Sequence, residues 1–232
     1  MIQIRNYADS RQTQLCAYCA TFKTKLTKDH TPSKVFLDKP YPENLHIVSA
    51  CLECNNNFSP DEEYLAYWIE IALFEETKVK TDRYKKAVRA LERNVSLKKK
   101  ILGESLFRTN AILPLDKNRF NNVVFKLASG HSLFKQNIPQ YKIPDSIKWF
   151  FLRNSNDLDR HFFEEEPQMD IFPEIGSRIP LKIAESGFPV YSWGTVQPGI
   201  YRYLVASLED RIIIKIVFSE FIACEVIWVD ES

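Results

Sequence analysis

Residues 16–55 of the chain read CAYCATFKTKLTKDHTPSKVFLDKPYPENLHIVSACLECN. Four of the five cysteines stand here as two C-x-x-C pairs, Cys16 with Cys19 and Cys51 with Cys54. Each pair forms a tight knuckle that presents two sulfurs to one ion, and two knuckles complete a tetrahedral zinc site. Because four protein ligands leave no position for water, the spacing predicts a structural zinc ion.

The segment around these cysteines is polar and rich in turns. Residues 1–60 show little helical periodicity and contain four prolines, at positions 32, 40, 42 and 60. Such a segment gains little stability from hydrophobic burial, so the bound metal must supply its folding energy. Residues 1–60 are therefore predicted to form a zinc-stabilised module. The fifth cysteine, Cys224, lies among apolar residues and is expected to be a small core residue.

The N-terminal residues and the hydropathy pattern predict a compartment. Residues 1–15 lack the apolar core of a signal peptide, and the chain has no run of about 18 apolar residues. We therefore expect a cytoplasmic protein with no membrane partner. In that reducing compartment the cysteines are expected to bind metal rather than form disulfides.

A second set of polar residues lies between and just after the cysteine pairs. Asp29 and His30 are adjacent, Asn44 follows fourteen positions later, and Asn55 comes directly after Cys54. A carboxylate beside an imidazole suits a site in which one group binds a divalent cation and the other removes a proton from water.

This arrangement resembles the HNH endonuclease family, in the branch where a four-cysteine zinc site frames a ββα-metal fold. The matching pieces are CAYC at 16–19, TKDHTP at 27–32, ENL at 43–45 and ACLECN at 50–55. Their order and spacing match together, which is more specific than any single piece. The resemblance covers roughly residues 14–62, about a fifth of the chain.

The resemblance implies a metal-dependent endonuclease that hydrolyses phosphodiester bonds, with DNA favoured over RNA as the substrate. His30 would be the general base that activates water. Asp29 and Asn55 would hold one catalytic divalent ion, magnesium or manganese. Asn44 would stay off the ion and tie the hairpin loop by backbone hydrogen bonds, which orients the histidine.

A third protein ligand for the catalytic ion stays open. Ser59, Pro60 and Glu62 form a capping box, which predicts a new helix over 60–76 and a metal-binding helix of only a turn or two. Asn57, Ser59, or water together with substrate phosphate are the alternatives for the remaining ligand position.

The rest of the chain predicts an α+β protein: a zinc-stabilised ββα-metal module, a helical middle and a C-terminal antiparallel β region. Further helices are expected over 81–103, over 116–136 with an interruption at Gly130, and over 145–152. Strands are expected in the β-branched and aromatic runs after residue 180, with a turn at 208–211. The chain is predicted to divide into the module 1–60, a helical region 61–154 with the basic helix, an acidic linker or loop 155–179, and a β region 180–232 that is separate or packed with the helices.

The charges constrain partners. Thirty-one Lys and Arg against thirty Asp and Glu give a net charge of +1, which excludes a global attraction to nucleic acid. Residues 76–108 carry eleven basic and four acidic side chains, either as a solvated helix face or as a surface that follows phosphates. Since an unspecific nuclease is usually more basic, we expect a regulatory protein partner or an activation step.

Three alternatives remain at this level. Small HNH proteins with long extensions resemble effectors of bacterial anti-phage defence, which is one context for the chain. The nuclease would act on RNA if the same site accepts it, because the ββα motif does not distinguish the two. A catalytically inactive, zinc-stabilised module that binds nucleic acid or protein is the third.

His46 is expected to be exposed or hydrogen-bonded, and His131 and His161 are expected to be structural.

Overall fold

The computed structural model describes residues 14–22, 25–102, 113–168 and 191–230, and it has mixed α+β structure. The chain divides into two compact units, Met1–Asn57 with Val124–Ser232, and Phe58–Val123. The helices of eight residues or more are α1 (Leu52–Thr77), α2 (Asp82–Arg93), α3 (Val95–Leu102), α4 (Lys117–Gln136) and α5 (Asp157–Glu164). In the part of the chain that the structure describes, no helix has the length and apolar character needed to span a bilayer.

The cysteine-bearing segment forms a two-stranded hairpin. Strand β1 (Thr27–Thr31) pairs antiparallel with β2 (His46–Ala50), with Thr27 opposite Ala50 and Thr31 opposite His46. Asp29 and Thr31 on β1 are buried, as strand alternation requires of residues on one face. Helix α1 begins two residues after β2, so the local order of elements is strand, strand, helix.

Helix α1 starts earlier than the sequence predicts. The expected N-cap at Ser59 is wrong, because the helix runs without a break from Leu52 to Thr77 across Pro60. Proline removes one backbone hydrogen bond, to the carbonyl four residues earlier. That carbonyl belongs to Asn56, and both Asn56 and Pro60 are exposed, so solvent can bind the freed oxygen. The predicted short metal-binding helix is therefore wrong as well.

The single helix predicted over 81–103 is two helices, α2 and α3. Asn94 divides them, since its backbone N–H caps α2 at the Ala90 carbonyl while its side-chain oxygen accepts a hydrogen bond from the Leu97 N–H at 3.0 Å. Asparagine is a preferred N-cap residue, so this side-chain hydrogen bond favours the start of α3. The predicted stop at Gly103 lies outside the described residues.

The C-terminal part forms a five-stranded antiparallel sheet. Its strands are β3 (Ser146–Phe151), β4 (Gly194–Gln197), β5 (Tyr201–Ser207), β6 (Arg211–Phe218) and β7 (Ile222–Val229). Their order in the sheet is β3-β7-β6-β5-β4. The predicted strands and the turn at 208–211 are confirmed, with the Leu208 N–H bonded to the Arg211 carbonyl. Cys224 is fully buried on β7, as expected.

The helix predicted over 145–152 is wrong, because β3 occupies this segment. Trp149 of β3 lies opposite Cys224 of β7, and Phe151 lies opposite Ile222. Short apolar runs do not distinguish helix from strand by periodicity. Here the aromatic content favours a strand, and a free edge of the sheet supplies the partner.

Both faces of the sheet are covered. On one face Tyr201 and Tyr203 pack against His131 of α4, and Phe218 packs against Phe36 of the segment that follows β1. On the other face Val217 and Ala223 pack with Phe163 of α5 and with Leu152. This face also carries Lys215, which donates hydrogen bonds to the Phe162 and Glu165 carbonyls at the end of α5.

Helix α5 lies inside the stretch expected to be an acidic linker or loop. Its N-cap is Asn156, which accepts a hydrogen bond from the Asp159 N–H, and its last residue Glu164 forms two hydrogen bonds of 2.7 Å with Arg202. Acidic residues of this stretch therefore lie in a helix, and Glu164 binds an arginine of the sheet. The remainder of that stretch, from residue 169, lies outside the described residues.

Candidate functional site

The four cysteines of the two C-x-x-C pairs form one cluster. The Sγ atoms of Cys16, Cys19, Cys51 and Cys54 all lie within 4.8 Å of one another, and those of Cys19 and Cys51 are 3.9 Å apart. Zinc–sulfur bonds of about 2.3 Å in a tetrahedron place the sulfurs roughly 3.8 Å apart. The donor set and the spacing therefore fit a structural metal ion such as zinc.

Backbone hydrogen bonds position both knuckles. The Ala17 N–H donates to the Ser49 carbonyl of β2 at 2.8 Å, which fixes the first knuckle to the hairpin. The second knuckle opens α1, where the Cys54 N–H points to Cys51 Sγ at 3.4 Å. The hairpin and the first turn of α1 thus share one four-cysteine cluster.

The thiols of the cluster differ in acidity. Burial opposes ionisation of Cys19, but hydrogen bonds with Thr21 outweigh it and lower the pKa of this thiol to about 7. Burial and the neighbouring thiols raise the pKa of Cys54. Four thiolates this close repel one another unless a cation neutralises them, so the cluster favours the metal-bound state.

Asp29, the expected ligand of the catalytic ion, is buried and already engaged. Its Oδ1 accepts a hydrogen bond from Lys126 Nζ of α4 at 3.1 Å, and its Oδ2 lies 2.9 Å from the same ammonium. Oδ2 also accepts a hydrogen bond from the Tyr18 hydroxyl at 2.8 Å. An ammonium already neutralises this carboxylate, so the observed arrangement does not fit a divalent ion at Asp29.

The second expected ligand, Asn55, lies in the first turn of α1. Its Nδ2 donates to Thr27 Oγ1 at 3.1 Å, and Thr27 Oγ1 donates to the Ala50 carbonyl at 2.9 Å. Asn55 therefore joins the helix to the base of the hairpin. Asn44 lies exposed in the turn before β2, and its predicted role in the loop stays a prediction.

The two residues considered for a third ligand, Asn57 and Ser59, are both exposed on α1. Their proposed ligand role therefore stays a prediction.

His30, the expected general base, lies on β1 beside Asp29 and is partly buried. Its buried Nδ1 atom has no hydrogen-bond partner among the described residues. Burial lowers the pKa of this imidazole, the charge of Lys34 lowers it further, and Asp29 and a backbone hydrogen bond at His46 oppose the shift. The ring is therefore neutral at pH 7, which is the form that accepts a proton.

The other histidines occupy packing positions. The His46 ring stacks on Phe134 with centroids 3.8 Å apart, so it is packed rather than fully exposed. His131 is fully buried, stacks on Tyr203 at 3.9 Å and hydrogen-bonds with the Tyr201 hydroxyl at 2.8 Å. Burial holds the pKa of His131 well below its usual value. His161 is exposed on α5.

Two residues of this site were missed by sequence reasoning. Tyr18 stands between two cysteines and connects the metal cluster to Asp29. Lys126 is 97 positions from Asp29 in sequence, so no local motif links them. The sequence does contain one indication of its role: Lys126 is a charged residue on the apolar side of α4, between Val123 and Leu127, which are both fully buried.

Helix α4 approaches β1 closely at Gly130, where the predicted interruption of the helix is absent. A Cβ atom added to Gly130 would collide with the Thr31 side chain, next to His30. Glycine is needed here for the close approach of the two backbones rather than for its flexibility.

Replacing Gly130 by alanine is expected to destabilise the protein by about 1–3 kcal/mol, because the new methyl group overpacks against Thr31. Helix propensity alone predicts the opposite, a gain of about 1 kcal/mol. Urea unfolding of the zinc-loaded protein measures the difference. A stability gain would show that β1 and α4 are not packed this tightly. Restoration by Thr31→Ala in the same chain would identify the collision as the cause.

The basic stretch 76–108 lies mainly on α2 and α3. Some of its charges are already paired, as Lys78 is with Glu75 at 2.8 Å, Arg83 with Glu70 at 3.1 Å and Lys85 with Asp82 at 2.9 Å. Lys98, Lys99 and Lys100 follow one another on α3. This stretch thus combines a solvated, partly paired helix face with a short basic run.

Comparisons of the chain with protein-family models, with curated proteins and with solved structures found no match.

Proposed function

We propose that the protein is a phosphodiester hydrolase of the HNH type that acts on nucleic acid, with His30 as its general base. The observation that supports this most is the local arrangement of the hairpin β1-β2 followed directly by α1. His30 lies on its first strand, Asn55 lies in the first turn of its helix, and the four-cysteine cluster frames both. This is the arrangement that the resemblance implies.

The state of His30 suits the proposed chemistry. A neutral imidazole protonated at Nε2 leaves Nδ1 as the proton acceptor. Because Nδ1 is buried in this structure, the proposal requires that substrate binding brings a water molecule to this atom. The activated water would then attack the phosphorus atom of a bound phosphodiester. The P–O bond to the 3′ oxygen would break, and this oxygen would take a proton from water, which gives a 5′-phosphate and a 3′-hydroxyl. Lys28 is exposed on the same side of β1 as His30, and the charge of Lys34 acts on the His30 ring. These two cations are the groups that we expect to hold the phosphate.

The divalent ion implied by the resemblance is not given a role in this proposal. The Asp29–Lys126 ion pair engages the carboxylate that would bind it, and Asn55 is joined to Thr27 through its Nδ2 atom. The proposed steps therefore use only the protein's own groups: a neutral His30 that accepts a proton, and lysines that bind the substrate's negative charge.

A second candidate is a zinc-stabilised module that binds nucleic acid or protein without cleaving it. The observation that favours it is the same buried ion pair, because Asp29 then serves the stability of the module. This candidate retains the metal cluster and the basic run of α3, and it needs no activity at His30. RNA in place of DNA remains an alternative substrate for either candidate.

The test is cleavage of supercoiled plasmid DNA and of a structured RNA by the zinc-loaded protein, with and without added magnesium or manganese. His30→Ala is expected to lower the cleavage rate by about 10²–10⁴-fold, the usual contribution of a general base. His161→Ala, which removes an exposed histidine from α5, serves as the matched control and is expected to cleave like the wild type.

Zinc content is measured on all three proteins, so that loss of fold is not mistaken for loss of the base. Equal rates for the wild type and for His30→Ala would overturn the assignment of His30. Nucleic-acid binding without cleavage in any metal condition would favour the binding module.

A further inference from the structure

The ammonium of Lys126 has the surroundings of a bound cation. Its side chain is fully buried, and three oxygens lie around Nζ: Asp29 Oδ1 at 3.1 Å, Asp29 Oδ2 at 2.9 Å and Ser33 Oγ at 2.9 Å. The Tyr18 ring covers it, with the centroid 5.9 Å from Nζ. A lysine ammonium has three N–H donors, and three acceptors are present.

The other partner is equally well satisfied. Asp29 is 6% exposed, both of its oxygens face Lys126, and Oδ2 also accepts the Tyr18 hydroxyl. A buried ion pair is stable only when further hydrogen bonds satisfy the remaining polar atoms of both groups. Ser33 and Tyr18 supply these bonds, so surrounding side chains satisfy both members of the ion pair.

A divalent ion at this carboxylate would meet two obstacles. The Lys126 ammonium already lies less than 3 Å from Asp29 Oδ2. A divalent ion at this carboxylate would therefore be close to another positive charge, and like charges repel strongly in a region shielded from water. It would also find three of the four lone-pair sites of the carboxylate already used, two by Lys126 and one by the Tyr18 hydroxyl.

We propose that Lys126 is the permanent counter-ion of Asp29 and excludes a divalent ion from this carboxylate. Asp29 then joins the hairpin to α4 instead of binding a catalytic metal. The proposal bears on the proposed function without depending on it, because ion binding is measured separately from cleavage.

The test is binding of Mn²⁺ to the zinc-loaded 232-residue chain, followed through the electron paramagnetic resonance signal of free Mn²⁺. The double variant Asp29→Asn/Lys126→Met removes both charges and nearly keeps the shapes of the side chains. We expect it to bind Mn²⁺ with an affinity within about twofold of that of the wild type. Lys126→Met alone leaves the carboxylate without its cation. This variant is expected to gain one site at least about tenfold tighter than any site of the wild type.

Two outcomes would overturn the proposal. One is a Mn²⁺ site in the wild type that weakens at least about tenfold in the double variant. The other is a folded, zinc-loaded Lys126→Met protein that gains no site. If Lys126→Met does not fold, the comparison of the wild type with the double variant decides alone. Absence of cleavage with the expected Mn²⁺ result would count against the proposed hydrolase and leave the role of Lys126 in place.

Discussion

Cys51→Ser is expected to release the metal ion and unfold the hairpin module. Structural zinc contributes about 10–16 kcal/mol of apparent binding free energy in small zinc domains. The total stability of a protein is usually only about 5–15 kcal/mol. Cys51 is buried and stands between β2 and α1, so its loss breaks the cluster at the point where these two elements meet. Zinc content and the unfolding transition followed by circular dichroism measure the effect.

Cys224→Ala is the matched control, because Cys224 is fully buried but lies on β7 outside the cluster. It is expected to retain about one zinc per chain and to lose only about 1 kcal/mol of stability, as ordinary small core changes do. The prediction for Cys51 fails if Cys51→Ser keeps both its zinc and the melting temperature of the control.

Zinc loss should also reach the candidate site. Tyr18 lies between two cysteine ligands and donates a hydrogen bond to Asp29, so the knuckle that holds the metal also holds this carboxylate. A chelator is therefore expected to disturb the hairpin and the cluster together. A metal ion bound by the four cysteines would thus also support the residues beside His30.

The parts of the fold that sequence predicts well are those set by local spacing. Two C-x-x-C pairs predict one cluster because each knuckle is a local turn, and the structure brings all four sulfurs together. The C-terminal strands were predicted because β-branched and aromatic residues recur with turns between them. Neither feature requires knowledge of a distant partner.

The parts that sequence predicts poorly depend on partners far along the chain. Residues 146–151 form a strand because β7, some 75 residues later, offers an edge. Proline at position 60 suggested a helix start, yet it lies on an exposed face where its missing hydrogen bond costs little. Gly130 suggested a break in a helix, whereas its role is a close approach to Thr31. In each case the residue or segment matters for the structure, but tertiary contacts and solvent exposure determine its role.

The motif around Asp29 shows the same limit within the site. Its local sequence resembles a metal ligand next to a general base, and nothing near it indicates an ammonium. The cation comes from α4, where Lys126 interrupts an apolar face. An isolated buried charge requires a partner, and the sequence alone does not say which of several carboxylates provides it.

Lys126→Met is expected to destabilise the protein by about 3–5 kcal/mol, because it leaves the Asp29 carboxylate buried without its counter-ion. Chemical denaturation of the zinc-loaded protein at pH 7 measures the loss. Lys85→Met, which breaks an exposed ion pair with Asp82 on α2, is the matched control. It is expected to leave the unfolding midpoint nearly unchanged, since water screens such pairs.

The double variant Asp29→Asn/Lys126→Met separates two contributions to that loss of stability: the missing ion pair and the unpaired buried charge. Replacing both members of a buried ion pair is often neutral, whereas removing one member leaves a charge in a poor environment. The double variant is therefore expected to be more stable than Lys126→Met by at least about 2 kcal/mol, although it lacks one more native group. A double variant less stable than Lys126→Met would show that Asp29 is stabilised by Tyr18 and its other neighbours rather than by Lys126. The ion pair would then not be what holds the hairpin to α4.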